Sequence, residues 1–234
     1  MKEKRIAIPS LHSNSIYLGG LLAIVGGFLD AYTFISRDGV FANAQTGNMV
    51  LFAVRAANGE WKGSLQYIPP IVAFVLGVLV SEIVKIPHVR EIVYSYRRSI
   101  LILECLVSIV VGFLPSSVPN IVITVCIAFV SSLQISTFNK IDKWGYNSTM
   151  TTGNLRTATQ AAYLALKEQN PDAKKQFKDF FIIILAFIFG ALSGTFSTTY
   201  IGNTSIWIAS GILGIAVLLY HRDKGYYRKP ASLK

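Results

Sequence analysis

The sequence predicts an all-α polytopic membrane protein: six transmembrane helices and two re-entrant half-helices, built as an inverted 3+3 repeat in one membrane domain. Three observations predict it. Apolar runs of spanning length recur along the chain, a short polar pattern occurs twice, and the basic residues collect between the runs. Of the 234 residues, 52% are hydrophobic and 15% charged, and the mean hydropathy is +0.49. A hydrocarbon core of roughly 30 Å asks for about 20 largely apolar residues per helix, and a soluble domain of this size has no use for so many such runs.

The first span is Ile16–Ser36. The basic start Met1–Arg5 gives it the look of a signal peptide, but it is long, carries Asp30, and has no small-residue cleavage pattern behind it. It reads as a retained span. Tyr67–Lys85 is the second, and Ser99–Leu114 with Asn120–Phe138 form a pair around the uncharged turn Pro115–Pro119. Asp179–Tyr200 and Ser205–Tyr220 form another around Ile201–Thr204. Phe41–Asn58 and Asn147–Gln169 are different: each is a polar stretch leading into a short helical run, with Arg55 in one and Arg156 in the other.

Charge decides how those two segments are treated. A net charge of +10 suits nucleic acid, but in a chain this apolar it fits basic cytoplasmic loops better, so no nucleic-acid partner is expected. If both short segments dip in and return, six spans result with both termini cytoplasmic. Only Arg37, Arg55 and Lys62 of the 22 Lys and Arg then lie outside. If both cross, there are eight spans, two arginines stay in the membrane, and the basic loop Lys85–Arg98 goes outside. The six-span arrangement is preferred. Trp61, Tyr67, Tyr94, Tyr96, Trp144, Tyr200, Trp207 and Tyr220 fall near the span ends, as an interfacial aromatic belt does.

The repeat is visible in three matches of the same order. Gly27–Phe34 aligns with Ser131–Phe138, Asn43–Asn48 with Thr149–Asn154, and Ala73–Gly77 with Ala186–Gly190. Each Thr-Gly-Asn opens a helical run that ends in Ala-Ala. The repeats cover about residues 16–114 and 120–220. Three spans per half is an odd number, so the second half must be upside down relative to the first, as in many transporters and channels.

The run Gly26-Gly-Phe-Leu-Asp-Ala-Tyr-Thr-Phe34, followed by Phe41-Ala-Asn-Ala-Gln-Thr-Gly-Asn-Met49, resembles the signature of the YoaK-like family of bacterial inner-membrane proteins. That resemblance implies a multi-pass protein of the bacterial inner membrane with a domain of unknown function. It implies no substrate.

The candidate site comes from the residues themselves. Irregular backbone at membrane depth survives only when buried in protein or lining water, and Asn43, Gln45, Thr46, Gly47 and Asn48 offer polar groups and a glycine to support it. Thr151, Thr152, Gly153 and Asn154 repeat the pattern. Thr or Asn is expected at the N-caps, the two glycines serve tight turns or close packing, and two helix N-termini converge near the midplane. Such a pair is either an anion-attracting or proton-excluding filter, or two buried helix starts that pack the halves together.

Asp30 is an intramembrane acid whose repeat mate is Gln134. Its candidate roles are proton acceptor, cation ligand, or ion-pair partner of Arg156 or Arg55. Thr152, Arg156, Thr159/Gln160 and Tyr163 share a helix face, which makes that face a candidate pathway lining. Glu82 and Glu104 are read as reaching interfacial water or loop arginines. Gly19-Ala23-Gly27, Ala73-Gly77-Ser81 and Ala186-Gly190-Gly194 are close-packing ladders that can also serve a homodimer.

Cys105 and Cys126 lie in apolar runs, and His12, His88 and His221 are not spaced as ligands, so no metal and no cofactor are expected. With no His-Glu-x-x-His, no Gly-x-Ser-x-Gly and no paired acids, an enzyme is not expected. The functional expectation is a transporter-like protein that moves a small polar or anionic solute, in contact with membrane lipid. A passive channel, or a scaffold or lipid-handling protein without a pathway, is the alternative.

Overall fold

The computed structural model describes residues 13–86 and 96–227, with side chains through Tyr220. The expectations for Met1–Arg5, His12, His88, Tyr94, His221 and most of the basic segments Lys85–Arg98 and Arg222–Lys234 fall outside the described residues or side chains.

Among the described residues the regular structure is helical except for one ribbon of two-residue strands. The helices are α1 (Ile16–Ser36), α2 (Gln45–Ala57), the short α3 (Trp61–Leu65), α4 (Ile68–Lys85), α5 (Tyr96–Phe113), α6 (Asn120–Thr137), α7 (Thr151–Lys167), α8 (Pro171–Ile201) and α9 (Ile206–Tyr227). The ribbon pairs β1 (Lys140–Ile141) with β2 (Trp144–Gly145) between α6 and α7. Each expected span has its helix, with ends moved by a few residues. The exceptions are α9, which runs seven residues past the expected Tyr220, and α8, which starts eight residues before the expected Asp179. Capping explains the start of α8: Asn170 Oδ1 accepts from the amides of Asp172 and Ala173, and Pro171 sits at the first helical position, where its missing N–H costs nothing.

Among the described residues, four stretches are long and apolar enough to cross a membrane: Ile16–Ser36, Trp61–Lys85, Asn120–Thr137 and Pro171–Tyr220. The last contains both α8 and α9, turned at Gly202–Ser205. Helix α5 stands apart because Arg97, Arg98 and Glu104 interrupt it. Rows of large apolar side chains point outward, Val72, Val75, Leu76 and Leu79 on α4 and Phe181, Leu185, Phe189, Leu192 and Phe196 on α8. Such a surface is stable against lipid and not against water. The chain is a helical membrane protein.

Two helix pairs form the centre. Helix α1 packs along α8, and α6 packs along α4. The small-residue ladders make both contacts. A Cβ on Gly27 would lie 2.1 Å from the Phe187 carbonyl oxygen, and one on Gly190 2.0 Å from that of Ile24. On the other side, a Cβ on Gly77 would lie 2.6 Å from the Phe129 carbonyl oxygen. These glycines let two backbones touch, the usual substitute for hydrophobic packing where lipid surrounds the helices. Ser81 and Thr137 add a buried hydroxyl pair at 3.3 Å.

Helices α1 and α6 run antiparallel, fastened at both ends. At one end the Asp142 amide donates to the Asn14 carbonyl at 2.8 Å. At the other, Arg37 Nη1 donates to Asn120 Oδ1 at 3.1 Å, and Asn120 Nδ2 to Asp38 at 2.9 Å. Arg37, expected in an outer loop, is buried, with its second Nη donating to the Tyr32 hydroxyl at 2.6 Å. The apolar core between α1, α5, α6 and α9 is built from Leu18, Leu22, Phe28, Leu101, Ile127, Ala209 and Leu213.

Candidate functional site

Where α1 ends, Asp38 (φ 59°) and Gly39 (φ 71°) take left-handed conformations that reverse the chain. The backbone then runs irregularly back along α1 to Ala44, and its amides must be satisfied away from water. Side chains of α1 satisfy them. Thr33 Oγ1 accepts from Ala42 N at 3.0 Å, and Asp30 Oδ1 accepts from Asn43 N at 2.7 Å and Ala44 N at 3.4 Å. Asn43 Nδ2 donates to the Gly26 carbonyl at 3.3 Å. Helix α2 then starts at Gln45 with Ala44 at the N-cap position and no side-chain cap. The expected Thr or Asn cap is therefore replaced by an acid reaching in from another helix.

Asn48 closes the loop. Its Oδ1 accepts from Phe41 N at 2.9 Å and its Nδ2 donates to Phe41 O at 2.8 Å and to Gln45 Oε1 at 2.9 Å. Gln45 Nε2 in turn donates to Ala42 O at 2.8 Å. Gly47 lies within the first helical turn, not in a tight turn, and a Cβ there would sit 3.0 Å from the Phe41 ring. Phe41 stacks on Phe34, with ring centres 4.7 Å apart.

The second segment reproduces the geometry. Asn154 Oδ1 accepts from Asn147 N at 3.3 Å and its Nδ2 donates to Asn147 O at 2.6 Å, the same seven-residue closure that joins Asn48 to Phe41. Asn147 Oδ1 accepts from Thr149 N at 2.9 Å and Met150 N at 3.0 Å. Those two amides correspond to the two held by Asp30. Met150 is the N-cap residue, again without a side-chain cap. Gln134, the mate of Asp30, accepts only from Ser148 Oγ, at 3.4 Å.

Both segments line one half-open cavity of about 780 Å³. From the first come Ala44, Gln45 and Thr46; from the second come Asn147, Thr149 and the first turn of α7, Thr151 to Asn154, with Thr157 beyond. Asn139, Gly145 and Tyr146 complete the wall. No lining residue is charged, and burial pushes the Tyr146 hydroxyl well above the usual phenol range, so it stays neutral. Helix N-termini carry about half a positive charge each, and here the first residues of α2 and α7 open onto the same space.

Four further expectations need correction. Asp30 pairs with neither Arg156 nor Arg55; its partners are backbone amides, and it lines a second, more apolar cavity with Phe34, Phe41 and Phe187 instead of the first. Arg156 does not line the cavity. It is exposed, with Thr159, Gln160 and Tyr163, on the outer face of α7 and has no hydrogen-bond or ion-pair partner among the described residues. Gly153 meets no atom within 4 Å at its Cβ position, so close packing does not account for it. Glu104 reaches neither interfacial water nor a loop arginine; it is 1% exposed and accepts from Ser131. Glu82, by contrast, is exposed and paired with Lys85.

Asn147, Thr149 and Tyr146 are cavity residues that spacing arguments passed over. Asn147 was nevertheless findable, since it precedes Asn154 by the interval that separates Phe41 from Asn48.

Comparison with curated proteins and with solved structures gives no match. A family does match, over residues 18–219, which takes in every helix that shapes the cavity. The chain belongs to the family described as protein of unknown function (DUF1275).

Proposed function

We propose that the protein conducts a small polar or anionic solute through the cavity between two re-entrant segments, within a six-span inverted repeat whose termini are both cytoplasmic. The observation that carries this is the shared lining: the first turns of α2 and α7 open onto one space with no charged side chain in its wall. Two helix N-termini then supply the potential, and it is positive. Amide and hydroxyl groups from Gln45, Thr46, Thr151 and Thr152 can exchange hydrogen bonds with a passing solute.

The inversion is supported by packing that the sequence matches do not use. Helices α1 and α6 are repeat mates and run antiparallel. Each lies along the mate of the other's neighbour, α1 on α8 and α6 on α4. In that frame α2 and α7, of 13 and 17 residues, are about 20 and 26 Å long, and each is preceded by irregular backbone that membrane-depth placement requires to be buried or wet.

The test uses a chain with Cys105 and Cys126 replaced. Thr46→Cys and Thr152→Cys, both at exposed positions, are expected to react with water-soluble thiol reagents and, together, to be bridged by a short bifunctional one. Protection of both from such reagents would leave a packed scaffold as the better description. A reporter at the C-terminus on the outer side would remove the six-span frame.

A further inference from the structure

Glu104 is a second buried acid, separate from both Thr-Gly-Asn segments. It sits on α5 where α6 and α9 pack against it, close to the core residues Leu101, Ile127 and Ala209. Its Oε1 accepts from Ser131 Oγ at 3.3 Å, and its Oε2 is buried without a partner. The Ser108 hydroxyl donates to the Glu104 backbone oxygen, not to the carboxyl.

No cation balances it among the described residues. Helix α6 carries no charged residue and only one titratable one, the exposed Cys126; α9 up to Tyr220 carries only Tyr220; the turn Gly202–Ser205 carries none. On α5 itself, Arg97 and Arg98 lie nearly two turns away, Arg97 bonding to Ser13 and Tyr96, and Cys105 donates to Ser210 O. A single hydroxyl at that distance does not offset the cost of an ionised carboxylate out of water. A metal cation would want about six oxygens, and the described surroundings supply far fewer.

Two hydrogen-bonded pairs lie between this acid and the cavity, Glu104 with Ser131 and Gln134 with Ser148, and no hydrogen bond joins one pair to the other. Ser131 and Gln134 are neighbours on one face of α6. Gln134 Oε1 accepts from Ser148 Oγ, while its Nε2 is buried without an acceptor. Ser148 lies between Asn147 and Thr149, which line the cavity.

We propose that Glu104 is a membrane-embedded proton-binding site, neutral at rest, that gives its proton to cavity water entering beside Ser131, Gln134 and Ser148. On release the carboxyl O–H bond breaks and a cavity water takes the proton. The carboxylate left behind keeps the Ser131 hydroxyl, and the unpartnered Gln134 N–H is the further donor available on that face. The site does not depend on the cavity's conducting a solute.

Infrared spectroscopy of the purified full-length protein at neutral pH tests this. Glu104→Gln keeps the shape and the acceptor for Ser131, and it is expected to remove a protonated-carboxyl C=O band. Loss of a carboxylate band instead would overturn the proposal, because Glu104 would then be ionised at rest. After transfer to D2O, Ser148→Ala is expected to slow the isotope shift of that band several-fold, whereas Ser108→Ala, off the path, leaves it unchanged. An unaltered rate in Ser148→Ala would overturn the route.

Discussion

The two lead-in segments perform one backbone task with different chemistry. Each must hold two successive amides just ahead of a helix, Asn43 and Ala44 before α2, Thr149 and Met150 before α7. In the first half the acceptor is an acid on α1, thirteen residues before the first of those amides. In the second it is the neutral Asn147, two residues away. The amides of the first loop are therefore held from a span, whereas those of the second are held from within the loop, which meets its span through Ser148 and Gln134. The electrostatics differ as well. When ionised, Asp30 offsets the positive end of α2, while no acid among the described residues takes the corresponding amides before α7. In that state α7 is the stronger source of positive potential.

The largest effects belong to what the halves share. Asn48 is fully buried and makes three bonds. Asn48→Ala is expected to cost about 3–5 kcal/mol, since each buried partner left unpaired costs about 1–3 kcal/mol. Asn154→Ala frees two groups and is expected to cost about 2–3 kcal/mol on the same grounds. Thermal unfolding in detergent measures both, and a larger loss for Asn154 would reverse the ranking of the two loops.

Asp30 comes next, and here the acceptor must be separated from the charge. Asp30→Leu strands two amides, that of Asn43 buried and that of Ala44 half-buried, and is expected to cost about 2–4 kcal/mol. Asp30→Asn keeps an oxygen in place and is expected to lose less than about 1 kcal/mol, because the second half shows an amide oxygen performing the same task. Equal losses in the two variants would mean that the charge itself holds the loop.

Much of this was legible in the sequence. The spans follow from apolar length, and the paired lead-ins from Thr-Gly-Asn appearing twice in matching surroundings. Asp30 is visible as an anomaly, a proton acceptor, cation ligand or arginine partner by its charge, because sequence shows which side chains carry charge and not which backbone amides lack partners. Arg156 was misplaced for a related reason. Helical spacing puts it on a face with Thr152 and Gln160, yet only the packing of α7 against α8 decides that the cavity reaches Thr152 and stops short of Arg156 and Gln160. Glu104 was assigned to interfacial water because its depth was counted along the chain, while its burial comes from α6 and α9.

A smaller effect addresses the potential directly. Asn147→Asp would give the second loop the acid of the first, keeping the bonds to Thr149 N and Met150 N. Stability is expected to hold or to rise by about 0.3–1 kcal/mol, the usual range for an anion at a helix N-terminus. At Thr152→Cys, an anionic thiol reagent is expected to react several-fold more slowly than before, and a cationic one no more slowly. Equal changes for both reagents would show that the cavity carries no appreciable positive field from α7.

The smallest expected effect concerns the two glycines, identical in motif and unlike in surroundings. Gly47 faces the Phe41 ring, which is itself stacked on Phe34, so an added methyl must push an aromatic pair. At the place of Phe41 the second half has Asn147, which has no ring, and a methyl on Gly153 meets nothing within 4 Å. Both residues are in the first turn of a helix, where Ala is favoured over Gly by about 0.5–1 kcal/mol. Gly153→Ala is therefore expected to raise stability by about that amount, and Gly47→Ala to gain nothing or to lose a little as the ring shifts. The comparison has a consequence for assembly. Gly153 is exposed in the single chain, on the same helix as the outward Arg156 and Gln160. A destabilising Gly153→Ala would mean that something outside this chain packs against the start of α7. Cross-linking and mass measurement of the detergent-solubilised protein would then distinguish a second copy, whose contact the variant weakens, from a solute held in the cavity, whose loss leaves the mass unchanged.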